Sequence, residues 1–307
     1  MKNKRVLSAV LTAFLSFVPA AASFASQSPA IIVNSKAVNT EVQPILKDGV
    51  TLVPIKTIAG LPDTAITWDN TTKTVTVVNQ STQQKSIFPL NSKNPKISGK
   101  QKEIEVPVSL VNGRVFVPLR AIGEASGAVV LWAPQKQTVY IAKPSDKTVQ
   151  ALASADLSVR RKAAVSESPK IDALPGLNSN RERNSHDVFY FPRGEAGQYF
   201  YLYGDVIEYH QIKSNIDYEI WVAKVGSSKD SIKLINNQEG LAFKTPVGVI
   251  SEQGPRPKIN GEYVYYNMDI MGGIARHGIV NAKGEVTDLG IHYDIDTTED
   301  FFLISEE

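Results

Sequence analysis

Apolar and polar positions change rhythm several times along the chain. From Val6 to Val18 the residues are mostly apolar and uncharged. Short alternating runs then take over. Thr74-Val75-Thr76-Val77 sets every second side chain on one face, the pattern of a half-buried strand. Two places break the alternation. Ile55, Ile58 and Ala59 recur at helical spacing, and so do Leu119, Ile122 and Gly123, which predicts a short helix with one buried face in each. Each follows a β-run that reaches a proline, Thr51–Val53 before Pro54 and Val115–Val117 before Pro118. Proline suits the first helical turn, where no amide donor is needed. Gly60 and Gly127 end or loosen the two helices.

Beyond residue 143 the pattern shifts again. Thr148–Ala164 predicts a helix with Val149, Leu152, Ala153 and Leu157 on one side. Ser166–Ser185 is rich in Ser, Pro, Asn and charge and reads as linker. Arg160-Arg161-Lys162 reads as a solvated helix end, with contact to an anionic wall polymer as the alternative. From His186 onward, runs of Tyr, Val, Ile and Phe predict strands at Asp187–Phe191, Gln198–Tyr203, Val206–Ile212, Tyr218–Val225, Ile232–Ile235, Tyr263–Asn267, Ile274–Val280 and Phe301–Ile304. Turns fall at Gly204-Asp205, Asn260-Gly261 and Ala282-Lys283-Gly284. This spacing predicts an all-β domain, sandwich or propeller-like.

The first half repeats itself. Residues 49–78 and 113–142 align without a gap at an offset of 64. Val53-Pro54-Ile55-Lys56 falls on Val117-Pro118-Leu119-Arg120, Trp68 on Trp132, and Thr74–Val77 on Thr138–Ile141. More weakly, Ile31–Lys36 matches Pro95–Lys100. The expected fold class is therefore an α+β N-terminal tandem repeat, each unit a short helix packed on antiparallel strands, followed by an all-β C-terminal domain. The predicted organisation is units 29–90 and 91–143, a linker over 144–185 with a short helix in it, and a β-rich domain over 186–307.

The N-terminus changes the reading of charge. Lys2, Lys4 and Arg5 precede the apolar run, Pro19 breaks it, and Ser23-Phe24-Ala25 fits the small-x-small cleavage rule. A signal peptide over 1–25 is expected, since the run is shorter than the roughly 20 residues a membrane span needs. The mature chain is then expected to carry no integral membrane span and to be secreted or associated with the cell surface. The whole chain has 33 basic and 31 acidic residues; the signal removes three basic ones and leaves near neutrality. That excludes a basic nucleic-acid-binding surface as the default reading. The absence of cysteine excludes disulfides, thiolate metal sites and a lipidated N-terminus, and fits export from a Gram-positive bacterium.

The repeated motif resembles the copper amine oxidase N-terminal-like, or stalk, domain. That family has a strand I-x-V-N-G-K, then G-x-x-x-V-P-x-R-x-I, then W-D and a closing T-V-x-I strand. The second unit keeps Asn112-Gly113-Arg114-Val115-Phe116-Val117-Pro118-Leu119-Arg120-Ala121-Ile122-Gly123-Glu124. The first keeps Val53-Pro54 and Trp68-Asp69, has Lys56 in place of the arginine, and lacks the helix glutamate. The resemblance implies an appendage domain, not the oxidase centre. The copper-binding catalytic domain needs an H-x-H pair, a third histidine and an Asn-Tyr-Asp/Glu motif. This chain has four histidines (His186, His210, His277, His292), no H-x-H and no Asn-Tyr. Copper and amine oxidase activity are therefore not expected.

Candidate chemistry is sparse. Arg120 and Glu124 stand at i, i+4, a spacing that favours a structural ion pair over a catalytic one. Trp68 and Trp132 are expected in the core, with a sugar platform as the lesser reading. Val53, Pro54, Val117 and Pro118 complete the structural motif. Asp294, Asp296 and Glu299 are calcium candidates, because oxygen ligands at alternating positions suit that ion, although the spacing is not that of an EF-hand loop. No nucleophile elbow, zincin motif or P-loop is present. The function expected is a non-catalytic cell-envelope protein whose stalk-like domain is an interaction or spacer module beside a β-rich binding domain. Its partner would be a cell-wall polymer or an envelope protein. The alternatives are a secreted hydrolase of wall polysaccharide or peptide acting through the C-terminal domain, and a calcium-stabilised binding protein.

Overall fold

The computed structural model describes residues 29–39, 42–177, 186–225, 249–269, 274–281 and 285–292. The first half runs β1 (Ala30–Val33), β2 (Lys36–Ala37), β3 (Ile45–Lys47), β4 (Val50–Pro54), a 3-10 turn (Ile55–Ile58), β5 (Thr64–Asp69), β6 (Thr74–Asn79) and β7 (Gln84–Pro89). It continues β8 (Lys96–Ile97), β9 (Lys100–Gln101), β10 (Ser109–Val111), β11 (Arg114–Pro118), α1 (Leu119–Ala125), β12 (Val129–Ala133) and β13 (Thr138–Ala142). Three sheets result, ordered β12-β13-β1-β2, β10-β11-β4-β3 and β5-β6-β7-β8-β9. They share one core. Val53 and Val117 meet Val75, Val77 and Phe88 from the third sheet and Val139 and Ile141 from the first.

Residues separated by the 64-position offset meet directly in the second sheet. β4 and β11 pair antiparallel with Val53 opposite Val117, Leu52 opposite Pro118 and Pro54 opposite Phe116. In the first sheet, β1 pairs parallel with β13, from Ala30 opposite Thr138 to Val33 opposite Ile141. In the third sheet β8 joins β7, which lies between it and β6.

The two expected helices differ. Leu119–Ala125 is an α-helix with Leu119, Ile122 and Gly123 buried, as its spacing predicts. The earlier segment makes one 3-10 turn that buries Thr57 and Ile58, and Ala59 is exposed. Gly60 and Pro62 follow too soon for a second turn to form. Pro54 and Pro118 occupy the cap position before each turn, not its first residue, and both still belong to the preceding strand.

The segment after β13 folds onto the second half. It holds α2 (Asp146–Leu152), α3 (Leu157–Lys162), a π-type turn (Ala163–Glu167) and β14 (Lys170–Ile171). Ser145 and Asp156 cap the two helices by accepting from the Thr148 and Ser158 amides. Arg161 is not solvated. It is 1% exposed, and its guanidinium donates to Tyr266 Oη at 2.8 Å, the Glu195 carbonyl at 3.0 Å and the Pro192 carbonyl at 3.3 Å. It also lies 4.7 Å over the Phe191 ring. A planar fork with five donors satisfies several acceptors at once, which lets a charge this large be enclosed.

The second half comprises β15 (His186–Pro192), β16 (Gln198–Tyr203), β17 (Val206–Lys213), β18 (Ile216–Val225), β19 (Val249–Gln253), β20 (Tyr263–Asp269), β21 (Ile274–Val280) and β22 (Val286–His292). Among the described residues these strands form one sheet, ordered β14-β18-β17-β16-β15-β20-β21-β22 with β19 also on β18. It is neither a sandwich nor a set of propeller blades. Both faces are buried: Tyr190, Phe200 and Trp221 on one, Phe189, Phe191, Tyr199 and Tyr266 on the other. That explains continuous runs such as Phe189-Tyr190-Phe191, where a one-sided sheet would alternate. The predicted strands Ile232–Ile235 and Phe301–Ile304 lie outside the described residues, as do the expected signal peptide and Asp294, Asp296 and Glu299. No helix of the described residues is long and apolar enough to cross a membrane.

The halves pack together. Ala133, Tyr140 and Ala142 of the first sheet meet Ile171 and Ile216 of the second half. Tyr140 Oη donates to the Asp172 carbonyl at 2.8 Å, and the Lys170 amide donates to Ser35 Oγ at 2.7 Å.

Candidate functional site

Two arrangements of polar side chains stand out. The first is an open groove of about 1020 Å3 in the N-terminal half. One wall is α1, presenting Arg120 and Glu124; another is the segment from Lys102 to Val106; a third is Trp132 on β12 with Gln137 and Val139 beyond it.

Local sequence sets this geometry. At Gly123 an added Cβ would stand 2.6 Å from Val130 Cγ2, so glycine lets α1 lie directly on β12. The helix ends in a Schellman motif: the Ala128 amide donates to the Gly123 carbonyl and the Gly127 amide to that of Glu124, both at 3.0 Å, with Gly127 at φ +85°. Trp132 shares the face of Val130 by strand alternation and passes the edge of the helix. It is 40% exposed, against the expectation of a core position. Trp68, its counterpart 64 positions earlier, packs half-buried against the core.

Arg120 and Glu124 do not form the ion pair their spacing allows. The Glu124 carboxylate stands 3.9 Å from Lys102 Nζ, and both side chains are exposed. Of the motif residues, the groove gathers Pro118, Arg120, Glu124 and Trp132, while Val53 and Val117 are core.

The second arrangement is buried between β14, β16, β17 and β18, and sequence reasoning missed it. His210 Nδ1 lies 3.0 Å from Asp217 Oδ1 and Nε2 3.1 Å from Glu208 Oε2. Tyr199 donates to Asp217 at 2.6 Å and stacks on the imidazole with the rings nearly parallel, centroids 4.7 Å apart. Tyr203 donates to Glu208 at 2.6 Å, and Lys170 Nζ stands 3.9 Å from Asp217. Burial alone would depress the imidazole, but the Asp217 charge and the hydrogen bonds it donates to both carboxylates carry its pKa up to about 9. Burial would raise Glu208, yet its bonds to His210 and Tyr203 hold it below the usual carboxylate range. Glu219 is raised to about 7 by burial first and the Glu208 charge second. The signal was Glu208-x-His210 in an alternating strand, which sets both on one face.

Elsewhere on the sheet, Asp288 lies on β22 and is paired with Arg276. His277 Nδ1 and His292 Nε2 lie 3.1 Å apart.

No curated protein and no solved structure matches the chain. The half that bears the groove is the half with a relative: residues 32–141 match the family model of the copper amine oxidase N-terminal domain.

Proposed function

We propose that the protein is an exported, non-catalytic component of the cell envelope, with its N-terminal domain as the interaction module and the C-terminal sheet as its support. We further infer that the two units of that domain are copies of one ancestral unit, from their shared motif and 64-residue offset.

The observation that carries this reading is the contrast between the two polar arrangements. In the C-terminal sheet the carboxylates of Glu208 and Asp217 are turned inward onto His210, Tyr199 and Tyr203. In the N-terminal domain the motif residues Arg120, Glu124 and Trp132 line an open groove. A hydrolase acting through the C-terminal sheet would need those two carboxylates to address a cleft, not to be turned inward. The basic, apolar and small-residue succession at the N-terminus supports export.

The test is co-sedimentation of residues 26–307 with purified Gram-positive wall sacculi. Retention with the pellet and no release of reducing sugars or amino groups is the expected result. Protein left wholly in the supernatant, or steady release of products, overturns the reading.

A further inference from the structure

We propose that the α1–β12 groove binds an uncharged polysaccharide chain, with the Trp132 indole as its stacking platform; this deepens, and rests on, the interaction-module reading. Three features of the lining select the ligand. Among the described residues, Trp132 is the one aromatic side chain lining the groove, and it is 40% exposed. A large ring left in water at a concave surface fits the C–H face of a pyranose ring, apolar on one side and hydroxylated at its rim. The charges around it are mixed, two cations (Lys102, Arg120) against three carboxylates (Glu103, Glu105, Glu124). A polyanion such as a teichoic acid would meet those carboxylates and be repelled. Sugar hydroxyls both donate and accept, so a mixed set of planar carboxylate and guanidinium groups suits them.

A proline-rich peptide is the rival occupant, since such segments dock in aromatic-lined grooves. That mode uses several rings to form successive slots, and this groove has a single one. Gly123 also seats α1 closely against Val130 under one wall of the groove. A preformed site loses less freedom on binding.

The experiment is calorimetric titration of residues 26–307 with a β-1,4-linked N-acetylglucosamine hexasaccharide, with polyglycerol phosphate and a proline-rich peptide as comparison probes. The hexasaccharide is expected to bind. Trp132→Ala should weaken it at least tenfold, Trp132→Tyr should keep most of the affinity, and both should melt within a few degrees of the parent, since the ring is partly in water. No hexasaccharide binding, tighter binding of either comparison probe, or unchanged affinity in Trp132→Ala overturns the proposal. Shielding of Trp132 from acrylamide quenching in the unliganded protein, read as a Trp68→Phe, Trp221→Phe variant, also overturns it, because the groove would then be filled by the chain itself. Sacculus binding that survives Trp132→Ala would sink the groove and leave the module reading standing, whereas hexasaccharide binding without sacculus retention would do the opposite.

Discussion

Val53 and Val117, 64 positions apart in the chain, are direct partners across the β4–β11 pair, and neither is exposed to solvent. Each fills the same core from one strand of the same sheet. Truncation of either to alanine removes two buried methyl groups and leaves a void, a loss of about 2 kcal/mol. Because they are neighbours, the double variant should not equal the sum of the single ones. A double-mutant cycle in urea measures the difference, and strict additivity would contradict the direct packing.

Gly123 offers a sharper steric test. The Cβ of Gly123→Ala would overlap Val130, costing about 1–3 kcal/mol. That cost opposes the roughly 1 kcal/mol by which alanine favours a helix. Adding Val130→Ala should remove the overlap and recover part of the loss. Thermal melting of the three variants decides it, and a stabilised single variant would show that β12 yields.

The buried His210 makes stability depend on pH with a definite sign. Its folded pKa of about 9 lies above the usual 6.5, so its contribution is complete below about 6.5 and is lost as pH rises through 9. The full shift corresponds to about 3 kcal/mol. Replacement by alanine leaves two enclosed carboxylates without their partner and should cost about 3–5 kcal/mol at neutral pH. Denaturant titrations between pH 7 and 10, above the Glu219 window, should show the parent weakening more steeply than the variant.

Glu219 acts in an adjoining window. Its folded pKa of about 7 exceeds the usual 4.5, so the protein loses stability as pH rises from about 4.5 through 7. Glu219→Gln should remove that slope and melt higher than the parent at pH 8. A lower melting temperature there would show that the carboxylate is held as a partner of Lys136, one of the cations near it.

Arg161 tests a reading that the sequence alone got wrong. Arg161→Met leaves Tyr266 Oη and the Glu195 and Pro192 carbonyls without this donor, at a cost of about 3 kcal/mol. Arg161→Lys should recover little, because an ammonium cannot reach acceptors spread around a planar fork. Urea midpoints of the two variants would separate charge from geometry.

Legibility in the sequence followed locality. The strands Gln198–Tyr203 and Ile274–Val280 coincide with β16 and β21, because alternation and turn residues are properties of neighbours in the chain. The face of α1 was readable for the same reason. What failed depended on distant partners. A run of three cations says nothing of the sheet that encloses the middle one. Trp132 and Trp68 align at the 64-residue offset, yet Trp132 is 40% exposed in the groove while Trp68 packs against the core. The network around His210 joins strands that no local pattern relates. β22 went unpredicted, and in the fold its Asp288 pairs with Arg276 of the neighbouring strand.

The parallel pairing of β1 with β13 bears on the order in which the molecule can be assembled. Ala30–Val33 lines up with Thr138–Ile141, so one edge of the first strand, opposite the one that pairs with β2, stays open until the last strand has arrived. More than a hundred residues must be closed into a loop before that contact forms, a slow event by comparison with hairpin closure. Neither part of the domain, before or after residue 90, is therefore a free-standing brick. A chain released from its N-terminal end would carry an exposed apolar strand for most of the domain's emergence. A truncated copy ending before residue 138 would retain that unsatisfied edge permanently, as a ready template for association with other chains.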